Sequence, residues 1–358
     1  MTKIDTEMEA RAEIERMKIL FWVENIIDCR DINHTLNKES LGLEDGVAMS
    51  NFLKYTYEGL TYKLYVPSGY KAGSNVPLLV MLHGCKQDPD DFAAGTRMND
   101  LAERENLIVL YPAMSHLFNP FDPAKSNPQG CWNWFLDYNQ HRREGHPKVI
   151  KGMVDDVKCN YSIDSNKVYA AGLSAGAAMA SILGVTYPDV FSGIGICSGL
   201  AYDAVDVFIP ADPTAQTAKY VMIQGTRDPY DCGNKAFFEM GKFKKKMPVI
   251  VFHGICDTTV HPINGQQVII QWAQTNFLVE GGRGKAEVTP ALVKADIVNG
   301  RSYSQHVYND KRGAPLMELW MIDRMGHAWS GGSSSGSYTD PLGPDTTAIL
   351  WRFFARYH

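Results

Sequence analysis

Long apolar runs, a surplus of positive charge and closely paired cysteines are all missing from this chain of 358 residues. No stretch approaches the roughly 18 consecutive apolar residues that a membrane span requires, so no transmembrane segment is expected. With 35 Lys and Arg against 40 Asp and Glu, the net charge of −5 gives no electrostatic grip on a phosphate backbone, which excludes nucleic acid as a partner. The one basic run, Lys244-Lys245-Lys246, reads as a solvated helix end. Seven cysteines include no Cys-x-x-Cys pair, so neither a zinc site nor a complete disulfide framework is indicated, and no metal or other cofactor is implied. Internal repeats are absent, and the nearest approach to low complexity, Gly331-Gly-Ser-Ser-Ser-Gly-Ser337, reads as a loop. The opening residues carry neither the basic nor the apolar region of a signal peptide, so the expectation is a cytoplasmic protein, with secretion as the alternative.

What is present is the composition of a globular enzyme, 45% apolar, at a length that suits one large core with an appendage. Residues 1–50 read as an N-terminal helical extension and linker. Within it Ile19, Trp22, Val23 and Ile26 share one helical face, to be buried on the main domain or in a homodimer contact. Residues 51–358 read as the catalytic domain. Residues 54–57 and 60–66 predict a hairpin turned at Glu58-Gly59. The apolar runs 78–82, 107–110, 168–173, 193–196, 248–252 and 317–322 alternate with helical stretches at 96–105, 150–158, 177–187, 264–277 and 346–357. That alternation predicts an α/β fold whose central sheet is mostly parallel, with helices on both faces. Residues 213–243 read as a helical insertion. The long loop 111–147, rich in Pro, Asn and aromatics, is of a length that is usually functional.

The chain is organised around Val168-Tyr-Ala-Ala-Gly-Leu-Ser-Ala-Gly-Ala-Ala-Met-Ala180, a strand, tight turn and helix with Gly172, Ser174 and Gly176 at the spacing of a nucleophile elbow. The competing reading is a glycine-rich turn that merely holds a serine. A serine hydroxyl is a poor nucleophile, so a histidine must take its proton and a carboxylate must hold that imidazole in one tautomer. Asp257 and His327 each follow a predicted strand, and the order Ser174, Asp257, His327 is that of the α/β hydrolases. His253 and His261 are the rival bases, or else structural histidines near the site. Asp257 could instead be a turn or capping residue. An oxyanion hole needs backbone N–H groups, which Ala175 and Cys85 are placed to supply. Cys85 could otherwise be a small buried residue or, least in keeping with its surroundings, a nucleophile.

Six blocks in order, Leu82-His-Gly-Cys-Lys-Gln87 with Asp91-Phe-Ala-Ala-Gly95, Asn127-Pro-Gln-Gly-Cys-Trp-Asn-Trp-Phe135, Gly172-Leu-Ser-Ala-Gly-Ala-Ala-Met179, Ser198-Gly-Leu-Ala-Tyr202, Gly254 with Asp257-Thr-Thr-Val-His-Pro262, and Gly326-His-Ala-Trp-Ser-Gly-Gly332, together resemble the polyhydroxybutyrate depolymerase esterase family. The resemblance runs from about residue 60 to the C-terminus. It implies an α/β-hydrolase domain using Ser174, Asp257 and His327, oxyanion donors from Cys85 and Ala175, and a substrate crevice lined by Trp134, Trp329 and Asn133, although these aromatics could equally be core. It also implies a Cys85–Cys131 disulfide, against which stands the pair of reduced thiols that a cytosolic protein would keep. The expected reaction is serine-esterase cleavage of poly(3-hydroxybutyrate)-type polyesters or oligoesters. The alternatives are a feruloyl, acetyl or short-chain carboxylesterase, and a non-catalytic protein bound to polymer granules. The resemblance does not cover the N-terminal extension, and Ile255-Cys256 before the acid departs from the more polar pair expected.

Overall fold

The computed structural model describes residues 51–115, 127–205 and 215–357. The N-terminal extension, with its Ile19, Trp22, Val23 and Ile26 stripe and the homodimer contact expected of it, lies outside the described residues.

Among the described residues a ten-stranded sheet forms the frame. Strands β1 (Phe52–Tyr57) and β2 (Leu60–Tyr65) make the expected hairpin, with Glu58 and Gly59 both at positive φ, as a two-residue turn matched to strand twist requires. Then come β3 (Val76–Leu82), β4 (Ile108–Pro112), β5 (Ile163–Leu173), β6 (Gly193–Cys197) and β7 (Val249–Gly254). The last three long strands are β8 (Leu292–Val298), β9 (Arg301–Asn309) and β10 (Pro315–Ile322). The spatial order is β1-β2-β4-β3-β5-β6-β7-β10-β9-β8, parallel from β4 to β10 and edged on each side by an antiparallel pair.

Side chains in a strand alternate between faces, so an all-apolar strand must be covered twice. In β3, Leu78, Val80 and Leu82 join one core with helices α3 (Gly145–Asn160), α4 (Ala175–Thr186) and α7 (Ile263–Val279). Leu79 and Met81 join the other, with α1 (Pro89–Thr96), α2 (Met98–Glu105) and α8 (Thr346–Phe354). The insertion supplies α5 (Ala215–Gln224) and α6 (Pro229–Glu239). A short parallel pair, β11 (Trp329–Ser330) with β12 (Thr339–Asp340), closes the glycine-serine loop.

Three local features differ from the sequence reading or add to it. The helix expected at 96–105 is α2, and a further helix, α1, precedes it, ended by Arg97 in a left-handed conformation. Helix α1 carried a readable start, Asp88 as N-cap accepting from the Asp91 N–H at 2.9 Å and Pro89 in the first turn. The β8–β9 hairpin turns at Asn299-Gly300, both at positive φ. That dipeptide is a hairpin signal, in an edge strand whose residues, Leu292, Val293 and Ile297 among them, are exposed. The lysine run follows a short 3₁₀ turn (Gly241–Phe243), and Lys246 pairs with Glu280 at 3.1 Å and with Asp310, rather than standing free at a helix end.

Candidate active site

Ser174 sits between β5 and α4 with φ 58° and ψ −122°, a strained backbone for a residue bearing a Cβ. Its N–H is fixed by the Cys197 carbonyl at 2.9 Å, so the turn is registered on the neighbouring strand. Gly176 makes the turn possible: a Cβ there would stand 2.1 Å from the Leu82 carbonyl oxygen and 2.5 Å from that of His83. The start of α4 therefore lies directly on the end of β3, which brings the His83-Gly84-Cys85 loop beside Ser174. A Cβ on Gly84 would be 3.4 Å from the Ser174 Cβ.

Asp257 and His327 follow the C-terminal ends of β7 and β10, which are paired in parallel through Ile322 and Gly254. Gly254 allows the chain before His327 to fold onto β7, since a Cβ there would meet the Met325 and Gly326 carbonyl oxygens at 2.3 and 2.5 Å. The outcome is a hydrogen bond of 2.7 Å between His327 Nδ1 and Asp257 Oδ2. The other carboxylate oxygen accepts the Thr259 and Val260 N–H groups, each at 2.9 Å. Burial would raise the Asp257 carboxyl, but His327, the Val260 N–H and His253 outweigh it and hold its pKa below the ordinary carboxylate value. An ionised Asp257 can only accept, so Nδ1 of His327 carries the proton and Nε2 presents its lone pair. Ser174 Oγ and His327 Nε2 make no hydrogen bond to a protein group among the described residues.

The rival histidines fall to other tasks. His253 is fully buried on β7 and its Nε2 lies 2.8 Å from the Val260 carbonyl and 3.6 Å from Asp257 Oδ2, so it braces the turn that holds the carboxylate. Burial pushes its pKa below the usual histidine value, keeping the ring neutral. His261 is exposed, with Nδ1 accepting the Ile263 N–H at 3.2 Å.

Beside Ser174, the Cys85 and Ala175 N–H groups make no hydrogen bond among the described residues, while their neighbours do. The Gly84 N–H goes to Gln87 Oε1 at 2.9 Å and the Lys86 N–H to the Gln129 carbonyl at 2.7 Å. The loop holding Cys85 is tied to the long aromatic loop by a Cys85–Cys131 disulfide and by Trp132 Nε1 donating to the His83 carbonyl at 3.1 Å. His83 contributes from within: its Nδ1 is 2.8 Å from the Gly84 carbonyl and its Nε2 accepts the Met114 N–H at 3.2 Å. The bracing roles of His83, Gln87 and Trp132 were not drawn from the sequence, whereas His253 was open there to a structural reading. For the two histidines the signal is a polar side chain inside or directly beside an apolar strand.

Of the expected crevice residues, Trp329 is a core side chain. It is 1% exposed, packs edge-on to Phe92 and donates its indole N–H to Thr347 Oγ1 at 3.0 Å on α8. Packing therefore replaces substrate contact as its role. Trp134 and Asn133 are buried in the aromatic loop, where Asn133 Oδ1 accepts Asn127 Nδ2 at 2.7 Å and Trp134 packs edge-on to Phe135.

The comparisons with known proteins agree with this architecture. A family model described as "Esterase PHB depolymerase" matches residues 60–308. The chain is 32% identical over 266 residues to poly(3-hydroxyalkanoate) depolymerase C of Paucimonas lemoignei, covering 74% of this chain and 57% of that relative. It is 29% identical over 212 residues to feruloyl esterase B of Thermothelomyces thermophilus, covering 59% and 68% respectively. Among solved structures, the acetyl xylan esterase from Aspergillus awamori superposes with a TM-score of 0.63 at 20% identity, covering 86% of this chain and 99% of that one. The chain thus spans just over half the length of the depolymerase it matches. By its matched residues and its sheet order, the chain belongs to the esterase PHB depolymerase family and has the α/β-hydrolase fold.

Proposed function

We propose that this protein is a serine esterase that cleaves poly(3-hydroxybutyrate)-type polyesters or their oligomers. The observation that carries the reading is the Asp257–His327 pair at 2.7 Å, set on the same sheet edge as a serine held in an elbow conformation. In the reaction Ser174 Oγ attacks the ester carbonyl carbon while His327 Nε2 takes its proton. The hydroxyl and the imidazole close to hydrogen-bond distance as substrate binds. The oxyanion of the tetrahedral intermediate is received by the Cys85 and Ala175 N–H groups at the positive end of α4. His327 then protonates the leaving alkoxide oxygen; a water that gives its proton to the same Nε2 attacks the acyl-enzyme ester, and the imidazolium returns a proton to Ser174 Oγ as the acid is released. Asp257 stays ionised throughout, stabilising the imidazolium. Trp134 and Asn133 belong to the loop pinned to Cys85, which supports their assignment to the substrate crevice.

The resemblance to a feruloyl esterase over 68% of that enzyme's length supports a second reading, an esterase for aryl or acetyl esters. Product analysis on polyhydroxybutyrate, hydroxybutyrate oligomers and methyl ferulate side by side separates the two. Hydroxybutyrate release absent in wild type, with ferulate released, overturns the first. A wild-type protein whose p-nitrophenyl butyrate turnover matches Ser174→Ala is a binding protein and overturns both. The Cys85–Cys131 disulfide favours an oxidising compartment over the cytoplasm expected from the N-terminal residues. No helix among the described residues is long and apolar enough to cross a membrane.

A further inference from the structure

We infer that Gln87 is a positioning residue that registers the oxyanion-binding peptide against the wall of the catalytic histidine. The inference rests on the reading of the Cys85 N–H as an oxyanion donor. Gln87 is 2% exposed, one residue past the disulfide-bearing loop's tip, and no step of the reaction uses it.

Every hydrogen-bonding group of its side chain is engaged. Oε1 accepts the Gly84 N–H at 2.9 Å. Nε2 donates to Asp91 Oδ2 at 2.8 Å and to the Ser337 carbonyl at 3.0 Å. The amide can face only one way, because a backbone N–H needs an acceptor on one side while a carboxylate and a carbonyl need donors on the other. The backbone of Gln87 works on the next peptide along: its N–H reaches the Gly84 carbonyl at 3.3 Å, the same oxygen that His83 Nδ1 approaches at 2.8 Å. In a trans peptide the carbonyl and the following N–H point in opposite directions. With the Gly84 carbonyl held by those two donors, the Cys85 N–H is turned the other way.

The far side of the amide reaches a different part of the site. Ser337 donates its N–H to Asp91 Oδ1 at 2.8 Å and its hydroxyl to Asp91 Oδ2 at 2.6 Å, closing a ring with Gln87 whose Ser337 end is exposed. The next residue, Tyr338, presents its ring edge to His327 with centroids 6.2 Å apart, and its carbonyl accepts the Trp329 N–H at 2.8 Å. Through one amide, therefore, the loop that receives the oxyanion is connected to the loop that flanks the base, although the two are 250 residues apart in sequence. Gln87, the buried member, has every side-chain donor and acceptor engaged, which is the condition under which a buried amide holds its geometry.

The test uses three variants of the full chain. Gln87→Met removes the polar groups at similar volume and should lower kcat on p-nitrophenyl butyrate about 10²-fold with KM within about twofold, the signature of an interaction realised in the transition state. Gln87→Glu keeps the acceptor for Gly84 but sets a carboxylate against Asp91 and the Ser337 carbonyl, and should lose kcat as well. Adding Asp91→Asn supplies a donor and should restore kcat to within about tenfold of wild type. A short-chain trifluoromethyl ketone adds to Ser174 as a hemiketal, and its ionisation, followed by fluorine NMR against pH, reports the oxyanion site directly. A wild-type adduct that does not ionise below its value in water refutes the oxyanion assignment itself. If the wild-type adduct does ionise early, an unchanged hemiketal pKa in folded Gln87→Met overturns the role of Gln87, whatever its kcat. Should Gln87→Met fail to fold, a folded double variant whose kcat remains as low as that of Gln87→Glu overturns it instead.

Discussion

His327 Nδ1 and Asp257 Oδ2 lie 2.7 Å apart across 70 residues of chain, and that one contact fixes which imidazole nitrogen keeps its lone pair. The tautomer follows from the carboxylate's depressed pKa, and the carboxylate's position follows from the 257–260 turn braced by His253. Replacing members of this chain should therefore have graded effects. Ser174→Ala and His327→Ala should each lower turnover by about 10⁴ to 10⁶, and Asp257→Asn somewhat less, with circular dichroism unchanged. An active His327→Ala together with a dead His261→Ala would falsify the choice of base.

The strain at Ser174 gives a stability prediction of opposite sign to its activity. A residue with a Cβ at φ 58° and ψ −122° is held there by its surroundings, whereas glycine visits such regions freely. Ser174→Gly should be inactive yet more stable than Ser174→Ala by about 1 kcal/mol, after the entropy lost by glycine on folding is subtracted. Equal denaturant midpoints for the two variants would mean that the elbow stores no strain.

The disulfide ties the aromatic loop to the loop beside Ser174. Closing a loop of this separation, 46 residues, should stabilise the fold by about 2 to 4 kcal/mol. Reductant, or Cys131→Ser, should lower the melting temperature and kcat together. Lost stability with undiminished kcat would show that Trp132, His83 and Gln87 hold the oxyanion loop without the bridge.

His253 makes stability depend on mildly acidic pH. Its folded pKa is depressed below 6.5, so as pH falls through 6.5 the unfolded chain binds the proton first and the native state loses ground. The slope reaches at most about 1.4 kcal/mol per pH unit until the folded ring also protonates. His253→Gln keeps an N–H for the Val260 carbonyl but does not titrate. Between pH 7.5 and 5.5 the wild type should lose more stability than this variant, and parallel curves from the two would sink the assignment.

Much of the architecture was legible because it is written locally. Apolar runs such as Leu78 to Leu82 can satisfy themselves only in a doubly covered strand, and Gly-x-Ser-x-Gly at a strand-to-helix junction leaves little choice of turn. The edge hairpin β8–β9 was passed over although Asn299-Gly300 marked it, and the alternate apolar residues Val293, Ala295 and Ile297 of its outer strand are exposed rather than packed in a core. Trp329, open to either role in the sequence, shows the same limit: an aromatic two residues from His327 has the same sequence appearance whether its ring faces a crevice or the core.

Residue type, order and local spacing thus determined by themselves the parallel sheet, the elbow at Ser174 and the chain order in which acid and base follow. Only the tertiary structure decided which of three histidines meets Asp257, which aromatic is buried, and that Gln87 joins Gly84 to Ser337. The physical reason is range. Backbone conformation and hydrophobic period act over a few residues and can be read along the chain, whereas a hydrogen bond between positions 70 or 250 apart exists only once the strands that carry them have packed.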